Sequence, residues 1–298
     1  MKYCVLYNPL ARNSTCAESL EKLKEYLSED DYVIEDMTKI SSYKDFFEAL
    51  DPERKVIVCG GDGTLNRFVN DTDGIELKND VYYYAGGSGN DFWNDLGRKY
   101  GDGPICINKY IENLPTVFVN GMERKFINGI GYGIDGYCCE EGDRLREISD
   151  KPINYTSIAI KGLLYKFKPR NAEVTVDGET KSYKKVWLAP TMNGRFFGGG
   201  MMPTPAQDRL NPEHKLSTMV FYGHGKLKTL MIFPNIFKGT HVNDKKVEVF
   251  TGKDITVKFD RPTPLQIDGE TVSNVTEYTV RAPKEASVKE ETKEFAAV

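Results

Sequence analysis

Two glycine-rich turns in the first third of the chain carry residues suited to binding phosphate. One reads Gly60-Gly61-Asp62-Gly63-Thr64 and follows the apolar run 55–59; the other reads Gly86-Gly87-Ser88-Gly89-Asn90-Asp91 and follows the apolar run 81–84. Glycines let a backbone approach a phosphate group closely, and a helix that starts after such a turn offers free N–H donors. Considered alone, the first turn is explained equally well as a tight strand-to-helix connection in which Asp62 caps the helix.

The elements that position these turns alternate between strand and helix. Apolar runs predict strands at residues 3–7, 33–34, 55–59 and 81–84, and helical spacing predicts helices after Thr15, at 43–50 and at 65–69. This alternation predicts a parallel, Rossmann-like α/β sheet. Ligands bind such sheets outside the carboxyl ends of the strands. Both turns, together with Asn8 at the end of the first strand, are therefore expected to converge on a nucleotide site.

The pattern changes to short β-rich runs from about Thr116 onward. Strands are predicted at residues 125–130, 172–176, 184–190, 215–222, 246–250, 255–259 and 277–280, and helices at 155–165 and 226–237. Runs of this kind, separated by Gly, Asn, Asp and Pro, favour an antiparallel β-sandwich-like domain. We predict an α/β domain at residues 1–115, to which 282–298 either packs back or frays, and a β domain at 116–281. The active site is expected in the cleft between them.

Taken in order, the motifs resemble those of the diacylglycerol kinase family, which includes sphingosine kinases and bacterial lipid kinases. Asn8-Pro9, the G-G-D-G-T turn and the G-S-G-N-D-F turn look like the nucleotide-binding motifs of that family. Four later segments also match: Asn128 to Asp135, Asn193 to Gly200, Lys238 to His241 and Gln266 to Glu270. G-G-D-G-T alone also occurs in NAD kinases, whereas the whole set in this order favours a lipid kinase.

The resemblance implies ATP and Mg²⁺ as cofactors and a role for each matching residue. The ATP site would be lined by Asn8, Gly60, Gly61, Asp62, Gly63, Thr64, Ser88, Gly89, Asn90, Asp91 and Glu270. Asp62, Asp91 and Glu270 would hold the ATP-bound Mg²⁺, with Asp135 in the same network. Asp268 would be the general base toward a lipid hydroxyl, with Asp62 as the second catalytic residue. The alternative for Asp268-Gly269 is a hairpin turn, which Asp-Gly favours; for the similar Asp177-Gly178 we adopt that interpretation.

The implied reaction is transfer of the γ-phosphate of ATP to a lipid alcohol, with diacylglycerol as the expected acceptor and phosphatidic acid as the product. An NAD kinase-like enzyme and a non-catalytic nucleotide- or lipid-binding module remain alternatives. The sequence does not identify the lipid. Bacterial family members carry a D-x-x-D-G-x-L stretch that holds a structural magnesium; residues 208–216 have lost the second Asp-Gly. Metal binding there is therefore expected to be weak or absent.

Composition restricts the partners of the chain. A formal net charge of -4 and a pI of about 5.6 argue against nucleic acid. Six cysteines without a C-x-x-C pair indicate a reducing cytoplasm. No apolar run approaches the roughly 18–20 residues of a membrane span, so we expect a cytoplasmic protein in peripheral contact with a membrane surface. Residues 159–170, which mix apolar and basic side chains, fit that contact or an ordinary core helix. A homodimer stays open.

Overall fold

The computed structural model describes residues 2–9, 15–28, 30–86, 90–99, 101–149, 151 and 153–283. The described residues divide into two compact units. The first reaches Leu114, and the second covers Pro115–Pro283. We describe each unit by itself.

The first unit is built on a five-stranded sheet. Its strands are β1 (Tyr3–Tyr7), β2 (Tyr32–Asp36), β3 (Lys55–Gly60), β4 (Val81–Ala85) and β5 (Ile105–Cys106), in the order β2-β1-β3-β4-β5. Its helices are α1 (Thr15–Lys24), α2 (Tyr43–Ala49), α3 (Asp62–Asp71), α4 (Asp91–Asp95) and α5 (Asn108–Ile111). The first four strands pair in parallel and β5 is antiparallel to β4. The predicted α/β domain is confirmed.

The second unit contains one antiparallel sheet of ten strands. They are β6 (Thr116–Val119), β7 (Met122–Lys125), β8 (Gly129–Tyr132), β9 (Arg170–Val176), β10 (Glu179–Leu188), β11 (Thr191–Met192), β12 (Leu216–Tyr222), β13 (Val247–Gly252), β14 (Asp254–Ile267) and β15 (Glu270–Arg281). The first half of β14 pairs with β9 and its end pairs with β8, so the sheet closes on itself. The predicted β-rich domain is confirmed.

Alternating burial along β14 explains how the sheet holds a core. Ile255, Val257 and Phe259 are fully or almost fully buried, while between them Thr256 is half-buried and Lys258 is exposed. A period of two places every second side chain on one face of a strand. The sequence predicted only residues 255–259 of this strand.

Helices of the second unit cover a further apolar cluster around Trp187, Phe197 and Met219. They are α6 (Ile134–Ile148), α7 (Tyr155–Lys161), a π-helical turn (Gly162–Lys166), α8 (Lys226–Ile232) and 3₁₀ turns at Phe233–Lys238 and Thr240–Asn243. The two predicted helical stretches are confirmed, but α6 was missed. Its glycines lower helix propensity, and the fold needs them: a Cβ on Gly136 would lie 2.0 Å from the Pro264 carbonyl oxygen.

The strand predicted at 125–130 is wrong. The chain leaves β7 at Lys125 and enters β8 only at Gly129. Phe126 and Ile127 are buried as a strand would bury them. The N–H groups of Ile127 and Asn128, however, donate to the carboxylate of Asp268, far along the chain, and not to a neighbouring strand.

Candidate functional site

The carboxyl ends of three neighbouring parallel strands lie at one edge of the first sheet. Tyr7 of β1 pairs with Cys59 of β3, and Gly60 of β3 pairs with Ala85 of β4. Asn8, the turn at Gly60 and the turn after Ala85 therefore leave the sheet at the same edge, as the strand alternation predicts. Ser88 and Gly89, which we predicted to bind nucleotide, lie outside the described residues.

Hydrogen bonds and packing fix where the two glycine turns begin. The Gly60 carbonyl oxygen accepts from the Gly86 N–H and from the Tyr83 hydroxyl, each at 2.9 Å. A Cβ on Gly60 would lie 2.5 Å from Thr64 Oγ1, and one on Gly86 would lie 2.4 Å from the side chain of Ser19. Both glycines are therefore required by close packing within the fold.

Gly63 differs from Gly60 and Gly86, because packing within the fold does not require a glycine at this position. It lies exposed in the first turn of α3, and a Cβ placed on it would meet nothing within 4 Å. Gly61 caps this helix without a side-chain hydrogen bond, and the helix begins at Asp62. Open space beside the N–H groups at the start of a ten-residue helix is where an anionic group can approach. Such a position suits a phosphate.

Asp62 joins the two glycine turns. Its Oδ2 accepts from the N–H of Asp91 at 2.6 Å, and its Oδ1 accepts from the N–H of Phe92 at 3.3 Å. Asp62 thus caps α4, whereas the sequence alternative had it capping its own helix. This contact brings Asp62 next to Asp91, whose side chain is buried. The structure therefore places two of the predicted metal-binding residues together, along with Asn90, which occupies the N-cap position of α4 without a side-chain capping bond.

The chemistry of this pair fits a magnesium ion that arrives with ATP. Mg²⁺ prefers oxygen ligands and commonly takes one or two carboxylates together with substrate phosphates and water. In the part of the chain that the structure describes, no three His, Cys, Asp or Glu side chains converge as a metal-binding group. Glu270 lies in the second unit, where its carboxylate is paired with the Arg124 guanidinium at 2.5 Å.

Asp268 and Gly269 form the two-residue turn between β14 and β15, with φ of 45° and 92°. Two positive φ values are those of the tight hairpin turn that Asp-Gly favours. Asp268 Oδ2 accepts from the N–H of Ile127 at 2.6 Å, and Oδ1 from those of Asn128 and Gly129 at 2.8 and 3.0 Å. These bonds occupy carboxylate lone pairs that a base would use. Its role as general base stays a prediction.

Side chains far along the sequence hold segment 127–129 from other directions. Arg209 donates to Asn128 Oδ1 at 3.1 Å and to the Ile127 carbonyl oxygen at 3.3 Å. Asn193 Nδ2 donates to the same Ile127 oxygen at 2.9 Å. The sequence analysis identified the segments of Asn128 and Asn193 by resemblance but did not predict that they meet, and it missed Arg209. No local spacing signals these contacts.

Asp135 carries a buried carboxyl group beside this region. Its Oδ2 has no hydrogen-bond partner and lies 1.7 Å from where a Cβ of Gly131 would stand. Burial raises the pKa of Asp135 to about 6, and the nearby Gln266 side chain partly opposes that rise. Gln266 is itself oriented, because its Oε1 accepts from the Gly269 N–H at 2.6 Å. The buried carboxyl therefore adjoins the Asp268 turn.

The side-chain amide of Asn211 closes the turn at residues 208–216, where the sequence analysis expects weak or absent binding of a structural metal. Asn211 Nδ2 donates to the carbonyl oxygens of Asp208 and Lys215 at 2.7 and 2.9 Å, and its Oδ1 accepts from the Lys215 N–H at 2.8 Å. N–H groups that point at these oxygens oppose a cation at the same place. Weak or absent metal binding here stays a prediction.

No helix in the described part of the chain combines the length and the apolar composition needed to cross a membrane.

Comparisons with known proteins identify the family. The model of the "Diacylglycerol kinase catalytic domain" matches residues 2–117, and that of the "YegS C-terminal NAD kinase beta sandwich-like domain" matches residues 128–288. "Putative lipid kinase YtlR" of Bacillus subtilis is 28% identical over 79% of this chain and 80% of its own length. "Diacylglycerol kinase" of Mycobacterium tuberculosis is 25% identical over 68% of this chain and 66% of its own.

A solved structure shares the fold. "A putative diacylglycerol kinase from Bacillus anthracis str. Sterne" is 19% identical and superposes with a TM-score of 0.65, covering 94% of this chain and 93% of its own. Two family models thus match consecutive parts of the chain, and one of them spans more than half of it. The chain belongs to the diacylglycerol kinase family of lipid kinases.

Proposed function

We propose that the protein transfers the γ-phosphate of ATP to the hydroxyl group of diacylglycerol and so produces phosphatidic acid. The observation that carries this proposal is the contact between Asp62 and Asp91, which joins two glycine turns at the carboxyl edge of a parallel sheet. Two aspartates brought together at such an edge suit a nucleotide with its metal. The choice of diacylglycerol is supported by the family and by the relative from Mycobacterium tuberculosis, which is named a diacylglycerol kinase.

In this proposal the first unit holds the phosphate donor. The phosphates of ATP approach the start of α3 above Gly63, where an added Cβ would meet no atom. Asp62 and Asp91 hold the Mg²⁺ that accompanies ATP, and Asp62 also keeps the second glycine turn against the first. When bound, the metal supplies positive charge that offsets the charge developing on the transferred phosphoryl group.

Asp268 is the proposed general base. A base must lie within about 2.6–3.2 Å of the hydroxyl whose proton it takes. Three backbone N–H groups fix the carboxylate of Asp268 in one orientation. Fixed orientation favours catalysis because a precisely held group reacts faster than a mobile one. The same bonds also fit a purely structural turn, and kinetics of Asp268 variants distinguish the two roles.

Phosphorylation of candidate acceptors with radiolabelled ATP tests the proposal. The acceptors are diacylglycerol, a sphingoid base, phosphatidylglycerol and a prenol in mixed micelles, together with NAD in solution. We expect labelled phosphatidic acid from diacylglycerol at a higher rate than any other product. Label in NAD alone would favour the NAD kinase alternative. Binding of ATP without any labelled product would favour the non-catalytic module.

Asp62→Asn examines the donor site within this assay. Asp62 uses both carboxylate oxygens as acceptors, so an amide can replace only one of the two bonds. We expect a folded protein without measurable kinase activity. Asp71→Asn is the matched control, because Asp71 ends the same helix in an exposed ion pair with Arg67. Full activity in folded Asp62→Asn would contradict the assignment of the nucleotide site.

A further inference from the structure

Large apolar side chains are exposed on two helical segments of the second unit. Tyr165, Leu227 and Met231 expose 75%, 72% and 70% of their surface, more than any other large apolar residue that the structure describes. Ile160 and Phe237 add further exposed apolar surface on the same segments. Monomeric proteins seldom leave contiguous apolar surface uncovered unless it binds a partner. We call these five residues the α7–α8 patch.

Contacts between the segments bring the patch together. The Lys226 ammonium group donates to the Leu164 carbonyl oxygen at 2.6 Å, so the start of α8 lies against the π-helical turn. Tyr165 and Leu227 are the next residues on either side of this bond. Leu227 and Met231 are four residues apart in α8 and share one face of it. Ile232 of the same helix is buried.

The charge of the two segments is opposite in sign to that of the chain. Residues 155–170 and 226–238 contain no Asp or Glu, although the chain as a whole has a formal net charge of -4. Their seven basic residues are Lys161, Lys166, Lys168, Arg170, Lys226, Lys228 and Lys238. Exposed apolar side chains on segments that carry several basic residues and no acidic ones match a surface with an apolar layer beneath anionic groups.

We propose that the α7–α8 patch docks the protein on anionic membrane surfaces. Tyr165, Leu227 and Met231 enter the boundary between headgroups and acyl chains, while the lysines of the same two segments contact anionic headgroups. A second copy of the chain fits the patch poorly, because a two-fold symmetric contact would set the same basic surface against itself. The inference extends the proposed function, since diacylglycerol lies in a membrane.

Sedimentation with lipid vesicles in the absence of nucleotide tests this surface. Its result stands whether or not the protein proves to be a kinase. We expect the full chain to bind vesicles that contain phosphatidylglycerol, to bind phosphatidylcholine vesicles weakly, and to be released by salt. Equal binding to both kinds of vesicle, or binding to neither, would overturn the proposal.

Two sets of variants separate the apolar and basic contributions. Tyr165→Ser/Leu227→Ser/Met231→Ser should lose vesicle binding. Lys161→Gln/Lys166→Gln/Lys228→Gln should bind anionic vesicles about a hundredfold more weakly at low salt. Lys226 is left unchanged because it holds α8 in place. Melting temperatures show that each variant is folded.

Matched substitutions elsewhere serve as controls. Met122→Ser/Val249→Ser removes exposed apolar surface, and Lys39→Gln/Lys44→Gln/Lys258→Gln removes exposed charge. Both should bind vesicles like the wild type. Equal losses in the control and patch variants would overturn the proposal. So would a dimer that the patch substitutions dissociate while vesicle binding persists, because the occupant would then be a second copy.

Discussion

The second unit contains two Asp-Gly turns that are nearly identical in local structure. Asp177-Gly178 joins β9 to β10 and Asp268-Gly269 joins β14 to β15, each with two positive φ values and a Glu as the next residue. Each aspartate accepts hydrogen bonds from the backbone of a segment distant in sequence. Asp177 receives the N–H groups of Lys253 and Asp254 at 2.8 and 2.9 Å. Both turns thus hold the fold together.

The two turns differ in how deeply the carboxylate is buried and in how many of its oxygens accept hydrogen bonds. Asp177 is exposed and both of these bonds use Oδ1, whereas Asp268 is half-buried and binds through both oxygens. Segment 127–129, whose N–H groups donate to Asp268, is also bound by Arg209 and Asn193. A motif of two residues therefore cannot by itself distinguish a structural turn from a catalytic one. What distinguishes them is what each carboxylate contacts.

The largest expected difference between the turns is in turnover. If Asp268 is the general base, Asp268→Asn and Asp268→Gly should lower kcat by about 10²–10⁴-fold and leave ATP affinity nearly unchanged. Glycine retains the positive φ that alanine would strain. Asp177→Asn and Asp177→Gly should leave kcat unchanged. Near-normal kcat in folded Asp268 variants would remove Asp268 as the base and leave Asp62 as the next candidate.

The next largest effect is on the pH dependence of stability, and it comes from the buried carboxyl group of Asp135 beside the Asp268 turn. Burial raises the pKa of Asp135 in the folded protein to about 6, from an ordinary value of 3.8. Between these values the unfolded chain loses its proton first, so this group makes the folded state less stable as pH rises from about 4 to about 6. Above that range the penalty is constant at roughly 3 kcal/mol.

Asp135→Asn removes this titration. The stability of the variant relative to the wild type should therefore rise by roughly 3 kcal/mol between about pH 4 and pH 6 and then stay level. Denaturant unfolding at a series of pH values measures it. A flat difference across this pH range would contradict the burial of the Asp135 charge.

A smaller effect on stability follows from how each carboxylate is used. One amide oxygen can accept both N–H groups that Asp177 binds through Oδ1, so Asp177→Asn should change the free energy of unfolding by no more than about 0.5 kcal/mol. Asp268→Asn must turn an NH₂ group toward a backbone N–H and should cost about 1–3 kcal/mol. Equal costs at both positions would show that the two turns are equivalent.

The smallest expected effect is that of added metal on the stability of the loop at residues 208–216, which contains Arg209. Because the Asn211 amide already binds the carbonyl oxygens of Asp208 and Lys215, Mg²⁺ or EDTA should change the melting temperature by less than about 1 °C without nucleotide. Asn211→Ala should lower stability by about 1–3 kcal/mol. An octahedral ion at residues 208–216 in a magnesium-soaked crystal would show that the loop binds metal after all.

The sequence predicted the elements that depend on local pattern. Strands β1, β3 and β4 are apolar runs that end at a turn, so both they and the shared edge of the sheet follow from composition and alternation. Helix α6 could not be predicted, because Gly136 reflects the approach of Pro264, which lies in a distant strand. Ile127 and Asn128 look like part of a strand in the sequence, but their N–H groups donate to the distant Asp268 carboxylate.

The candidate site likewise has features that the sequence predicted and contacts that it did not. Glycine turns and acidic residues identified the nucleotide edge, and the resemblance identified Asp268. The capping of α4 by Asp62 and the bonds from Arg209 to segment 127–129 depend on distant residues. These contacts could be identified only from the structure.

The affinity of Gly63→Ala for ATP·Mg²⁺, measured by calorimetry, tests the central claim most directly. An added Cβ meets no atom within 4 Å, and alanine is favoured over glycine in a helix by about 1 kcal/mol, so this variant should be at least as stable as the wild type. Gly60→Ala, which would press on Thr64, should instead be destabilised. If phosphate approaches the start of α3, Gly63→Ala binds ATP about tenfold more weakly or worse. Unchanged ATP affinity with full turnover in this variant would contradict the account.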